Sequence, residues 1–240
     1  MKRICFFLAT VIIIFASCRQ MGYKRIKGNG NITTEDRNIN RAERIKLSGS
    51  YDVEITQGSI TSVKVETDEN ILPFIITSEE DGFLLIKSKG HVNLTATHTI
   101  KVYIITAKLE QIQLTGSGSI IGKTKFTEAN KLTLKISGSG DIQMDLNAPD
   151  IIADISGSGS MTLTGETKNE TIHISGVGDY NAEGLKAENA KVRIAGTGDV
   201  KVFAEVSLDV NIAGGGSVYY KGAATVKQRV AGVGEVKRIE

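Results

Sequence analysis

One short phrase returns seven times along this chain and fixes most of what it can fold into. Leu114–Ile120 reads LTGSGSI, Ile136–Ile142 reads ISGSGDI, Ile155–Met161 reads ISGSGSM and Ile174–Tyr180 reads ISGVGDY. Ile194–Val200 (IAGTGDV), Ile212–Val218 (IAGGGSV) and Val230–Val236 (VAGVGEV) complete the series. The first glycines stand at 116, 138, 157, 176, 196, 214 and 232, so the steps are 22, 19, 19, 20, 18 and 18 residues. One fixed mark per period of about this length is the signature of a repeat architecture.

The segments flanking each mark alternate. Leu132, Leu134 and Ile136 are interleaved with Thr133 and Lys135, and Ile142, Met144 and Leu146 with Gln143 and Asp145. Period-two alternation rich in β-branched residues is the pattern of a half-buried strand. A helix would need apolar residues three and four apart, which these segments lack. No single repeat can bury its apolar side alone, but stacked repeats share one continuous core. The fold read from this pattern is all-β: a single-stranded parallel β-helix, or β-solenoid, with rungs of about 18–22 residues and glycine corners.

The corners are Gly116 and Gly118, Gly138 and Gly140, Gly157 and Gly159, Gly176 and Gly178, Gly196 and Gly198, Gly214 and Gly216, and Gly232 and Gly234. The residue between them varies freely (Ser117, Val177, Thr197, Gly215, Val233), so the flanking sites are the ones at which a Cβ is forbidden. A small residue precedes each pair, for example Ser137, Ser156, Ala195 and Ala213, and serine trading with alanine implies tight packing there.

The chain opens with Lys2 and Arg3, an apolar run Ile4–Ala16, and then Cys18. That layout matches a secretory signal and is too short for an ordinary spanning helix. Phe15-Ala16-Ser17 before Cys18 resembles a bacterial lipobox, which implies cleavage before Cys18 and diacylation of its thiol, the alternative being an ordinary signal with an incidental cysteine. Residues 1–17 are read as a lipoprotein signal peptide, 18–40 as a lipidated N-terminus and tether, and 41–240 as the solenoid, with wider rungs over 41–113 and regular repeats over 114–240. Removing Lys2 and Arg3 leaves 27 basic and 27 acidic residues, so the processed chain is formally neutral. Neutrality without a visible basic stripe argues against nucleic acid as partner. Losing Cys5 and lipidating Cys18 leaves no cysteine pair, so the domain holds together without a disulfide.

Leu47–Val53 (LSGSYDV) reads as a decayed first copy, with Tyr51 where the second glycine stands elsewhere. Ser62–Glu66, Phe74–Thr77, Phe83–Lys87 and Ile100–Ile105 read as strands, Glu80–Gly82 as a turn and Gly90–His98 as a loop or poor strand, all expected to begin or cap the same stack. The last stretch, Val236–Glu240, carries Lys237, Arg238 and Glu240, charges of the kind that discourage edge pairing.

The recurring corner, the lipobox and the prelude YDVEITQGSITSVKVETDEN together resemble the DUF2807 family, over roughly residues 40 to 222. The resemblance implies a single-stranded β-helical domain in bacterial envelope lipoproteins, with an adhesin role conveyed by the family's name. It brings no catalytic residues, only the glycine corners. Arg19, after the lipobox cysteine, is not the aspartate that in such lipoproteins implies retention at the inner membrane, so attachment to the outer membrane through the lipid anchor is expected; the face of that membrane and the oligomeric state stay open.

The residues that carry chemistry elsewhere are sparse here. Ser119, Asp141, Ser160, Asp179, Asp199, Ser217 and Glu235 form a column after the corners. Stacked at about 4.8 Å, two of its aspartates could share a cation, but serines interrupt the column and hydrogen bonds to turn amides are the favoured reading. His91, His98 and His173 share no metal-ligand spacing, so no metal and no cofactor is expected. The S-G-S-G corners lack the strand-to-helix setting of a nucleophile elbow, and no catalytic residue is assigned. The row Gln143, Thr162, Asn181, Lys201, Tyr219 and Lys237 faces outward, with Lys201 and Tyr219 the candidate binding residues for a glycan or an envelope protein. A non-enzymatic binding or scaffold module is therefore expected, the alternative being a β-helical lyase or hydrolase of polysaccharide. Rungs this short leave few residues to wall a catalytic groove.

Overall fold

The computed structural model describes residues 23–127 and 129–240. Cys18 and residues 1–17 lie outside the described residues. The chain is all-β, with a single 3₁₀ turn at Leu72–Phe74 among the described residues, and winds into a parallel β-solenoid. Its first strands are β1 (Lys24–Lys27), β2 (Ile32–Arg37), β3 (Arg44–Ser48), β4 (Asp52–Gln57), β5 (Ser62–Asp68), β6 (Ile75–Glu80), β7 (Phe83–Ser88), β8 (Val92–Thr95) and β9 (Lys101–Thr106). The regular coil continues with β10 (Gln111–Gly116), β11 (Ser119–Phe126), β12 (Lys131–Gly138), β13 (Asp141–Asn147) and β14 (Asp150–Gly157). It ends with β15 (Ser160–Gly176), β16 (Asp179–Gly196), β17 (Val200–Gly214), β18 (Val218–Lys221), β19 (Thr225–Gly232) and β20 (Val236–Arg238).

Each rung contributes one strand run before its glycine corner and one after it. The runs before the corners stack in parallel through β10, β12, β14 and then the second halves of β15, β16 and β17 to β19. Those after the corners stack through β11, β13, the first halves of β15, β16 and β17, then β18 and β20. The register keeps equivalent residues in line, so Leu132 lies beside Ile151, Ile136 beside Ile155, and Gly138 beside Gly157. Inward residues such as Leu134, Ile155, Leu163, Val192 and Val210 are buried and form one core. Each buried aliphatic side chain of this size contributes roughly 1.5–3 kcal/mol.

The chain does not add its rungs in sequence order. Strands β3 and β4 form the decayed first copy, in register with the next one: Leu47 pairs with Leu114 and Val53 with Ile120. On its other side this rung meets β7 and β9, which come later in the chain. The chain thus lays down β3 and β4, runs out to build the end of the stack, and returns past its own earlier rung. The expected wider rungs over 41–113 are this excursion. Strand β6 closes the edge of β7 as an antiparallel hairpin, and β5 and β2 close that of β9. The hairpin turns at Asp81 (φ 51°) and Gly82 (φ 76°), as the Asp-Gly dipeptide favours.

The expected tether is partly folded. Strand β2 is the outer strand of the cap, and β1 pairs in parallel with β8 in a separate two-stranded sheet. Gly90–His98, read as a loop or poor strand, thereby supplies a true strand. Neither β1 nor β2 carries a strict apolar alternation, which is why the residue pattern conceals them. Asp68, at the end of β5, ties in the loop between β1 and β2 and the segment after β8. Its buried carboxylate accepts hydrogen bonds from the Gly30 amide (2.7 Å), the Thr97 amide (2.8 Å) and the Thr97 hydroxyl (2.7 Å).

Candidate functional site

The corners are built by backbone, not side chains. At each but the last, the carbonyl of the first glycine accepts a hydrogen bond from the varying residue one rung on: Ser158 N–H to Gly138 at 2.9 Å, Thr197 N–H to Gly176 at 2.9 Å. A Cβ on Gly157 would stand 2.3 Å from the Gly138 carbonyl oxygen, and Gly157 also has φ +134°. The second glycine fails a Cβ by contact alone, since one on Gly159 would lie 2.3 Å from the Gly140 oxygen. The small residues before the corners are exposed, not tightly packed as expected. The alternation that buries Ile136 and Ile155 turns Ser137 and Ser156 outward.

After the corners the carboxylates bond the next rung. Asp141 accepts from the Ser160 amide (3.1 Å) and hydroxyl (2.6 Å), Asp179 from the Asp199 amide (3.0 Å) and Asp199 from the Ser217 amide (2.9 Å). No group of three or more His, Cys, Asp or Glu side chains is placed to hold a metal ion among the described residues. A second polar ladder, Asp150–Asn169–Asn189–Ser207, runs through the other bend of the rung with contacts of 2.9, 3.2 and 2.7 Å.

The row expected to bind ligand is in register, Gln143 beside Thr162 and Lys201 beside Tyr219. Both candidate residues have partners within the chain. Lys201 approaches Glu183 at 3.7 Å, a carboxylate that Lys221 also approaches at 3.4 Å. Tyr219 donates to Glu235 at 3.2 Å. His91 and His98 are exposed, whereas His173 lies half-buried with Nδ1 3.3 Å from Asp154.

Two features escape a reading of the sequence. Glu170 is fully buried in the inward column between Ile151 and Ala190, and Tyr180 donates to its Oε1 at 2.5 Å. Its Oε2 has no partner, and burial pushes the carboxyl up to about 8. Parity with Ile172 and Ile174 was the available signal. The other is a basic face, which corrects the expectation that the chain has no basic stripe. On the outer side of the sheet before the corners, Lys46, Lys135, Lys191, Arg193, Lys227 and Arg229 fall into two adjacent columns with only Asp154 and Asp209 as acids. Their sequence neighbours conceal them, because each rung gives the face only one or two charges.

A search of curated proteins finds none that matches. Among solved structures, one described as a "putative adhesin" from Bacteroides fragilis is 24% identical, with a TM-score of 0.85, and covers 89% of this chain and 100% of its own. A second "putative adhesin", from Parabacteroides distasonis, is 28% identical with a TM-score of 0.74, over 90% of this chain and 100% of that one. A "putative lipid binding protein" from the same species is 27% identical with a TM-score of 0.71, again over 90% and 100%. The family model described as "Putative auto-transporter adhesin, head GIN domain" matches residues 42–224, which spans most of the folded rungs. With its glycine corners, its parallel stack and that match in agreement, this chain belongs to the DUF2807 family.

Proposed function

We propose that this chain is a non-enzymatic binding protein of the bacterial cell envelope, an adhesin or scaffold module that works from the lateral faces of its solenoid. One observation carries the reading: short rungs give long flat faces of aligned outward side chains over a filled core. Catalysis on a polysaccharide needs a carboxylate pair or a basic cluster set in a groove walled by long loops, and these rungs are too short to build such walls. Here the corner carboxylates are engaged by backbone amides. The family's description, "Putative auto-transporter adhesin, head GIN domain", and the 28% identical structure described as a "putative adhesin" support a binding role. In this reading Cys18 is the lipid anchor, the protein sits on the outer membrane, and the row with Lys201 and Tyr219 is one of the faces offered to a glycan or envelope protein.

The test pairs glycan-array binding with a depolymerisation assay on the purified chain. Saturable binding without turnover is the expected result. Turnover abolished by one carboxylate substitution that leaves folding intact would overturn the reading in favour of a polysaccharide lyase or hydrolase.

A further inference from the structure

We infer that the basic outer face is a binding site for an extended anionic polysaccharide, one carrying a carboxylate or sulfate on every second sugar. The inference rests on the binding-module reading and names the ligand class and the face. Four observations carry it. Lys191 and Arg193 share one rung and Lys227 and Arg229 stand two rungs further, aligned through Asp209 and Asn211. Among the described residues, none of these four cations has an ion-pair partner, unlike Lys135, which is held by Asp154 at 3.0 Å. Beside the Arg193 column runs the column of small residues, here Ala195, Ala213 and Ala231, exposed and nearly flat. The step between the two columns forms an open trough of about 360 Å³, lined by His173 and Arg193 on one side and Ser175, Ala195 and Ala213 on the other.

The chemistry of that trough is two-sided. The alanine floor offers apolar contact to the C–H faces of sugar rings, Arg193 in its wall offers a bidentate guanidinium to carboxylate or sulfate, and Arg229 stands two rungs further along the same column. Rungs are about 4.8 Å apart, so the cation pairs repeat at roughly 10 Å, the length of an extended disaccharide. A nucleic acid carries its charges more densely, at about 3.4 Å per strand in a duplex, and a flat parallel sheet cannot enter a groove. For a single strand the trough holds, among the described residues, no Phe, Tyr or Trp on which bases would stack. Bases are therefore the poorer fit.

The experiment measures binding of the purified full chain, in detergent, to hyaluronan and unsulfated chondroitin, each with one carboxylate per disaccharide, with dextran as the uncharged polymer and single-stranded and duplex DNA as competing polyanions. The expected result is saturable, salt-sensitive binding to the two acidic glycans and none to dextran. Arg193→Ala with Arg229→Ala should weaken it at least tenfold, and Ala213→Phe, which fills the floor without touching charge, should weaken it as well. Lys24→Ala with Lys89→Ala removes two charges from the cap and should leave it unchanged. Binding insensitive to the arginine pair overturns this site but leaves the binding-module reading intact. Equal or tighter DNA binding at the same salt, indifferent to Ala213→Phe, assigns the face to nucleic acid instead. Turnover of either glycan overturns both readings, and no binding to either acidic glycan overturns the inference alone.

Discussion

At Gly157 two constraints coincide, a positive φ and a carbonyl oxygen in the place a Cβ would take. Gly157→Ala should therefore lower unfolding stability by about 2–4 kcal/mol, whereas Ser158→Ala, at the exposed tip between the glycines, should cost less than about 0.5 kcal/mol. Chemical denaturation of the two variants decides between a corner that requires glycine and one that merely tolerates it. The requirement was legible because two positions never vary across seven copies while the one between them does. Glu170 was not legible in the same way, since one carboxylate amid Asn169, Thr171 and His173 looks like any polar run until its parity is counted. Its energetics run opposite to those of an exposed acid. With the folded carboxyl at about 8 against an ordinary 4.5, the folded state holds the proton more tightly. The contribution is fully present below the unfolded value and is lost as pH rises through the folded one, a swing of about 3–5 kcal/mol. Glu170→Gln keeps an acceptor for Tyr180 and removes the titration. Melting curves of wild type and variant should converge near pH 5 and separate by pH 8, with the wild type the less stable; parallel curves would reject the buried, protonated acid.

Among the elements, the cap depends on a polar tie and the coil on apolar columns, and the two should respond differently to substitution. Asp68→Ala leaves the Gly30 and Thr97 amides without their acceptor, so β1, β2 and β8 should lose hydrogen-exchange protection while β12 through β16 keep theirs. A loss spread evenly over the rod would mean that cap and coil form one cooperative unit. Acid should mimic the substitution. Burial raises the Asp68 carboxyl and the hydrogen bonds from Thr97 and Gly30 outweigh it, holding it below the ordinary 3.8, so its contribution is present at neutral pH and lost as pH falls through that lowered value. The regular strands were readable because Leu132, Leu134 and Ile136 obey one parity. Strand β2 was not, because ITTEDR presents mostly polar residues, as befits an outer edge that must repel further strands.

For the whole molecule, the proposed lipid anchor sets one clear expectation. Cys18→Ala should abolish fatty-acid labelling and release the chain from the membrane fraction, and a wild-type chain that is already unlabelled and soluble would reject the anchor. Net charge is a poor guide at this scale. The 27 acids and 27 bases left after residue 17 balance in the sum, yet Asp141, Asp179 and Asp199 line the corners while Lys191, Arg193, Lys227 and Arg229 share one sheet. No window of the sequence holds Arg193 and Arg229 together, so only the rung spacing could have revealed that polarity. The returning path of β3 and β4 has a consequence in time. A chain leaving the ribosome exposes Arg44–Gln57 first, but both neighbours of that rung, Phe83–Thr106 and Gln111–Phe126, are translated afterwards. One side of that rung stays open until Phe126, 69 residues past Gln57, has emerged. Folding of this rod cannot proceed from its leading end as synthesis does, and a nascent chain halted near Gly90 should remain sensitive to protease throughout.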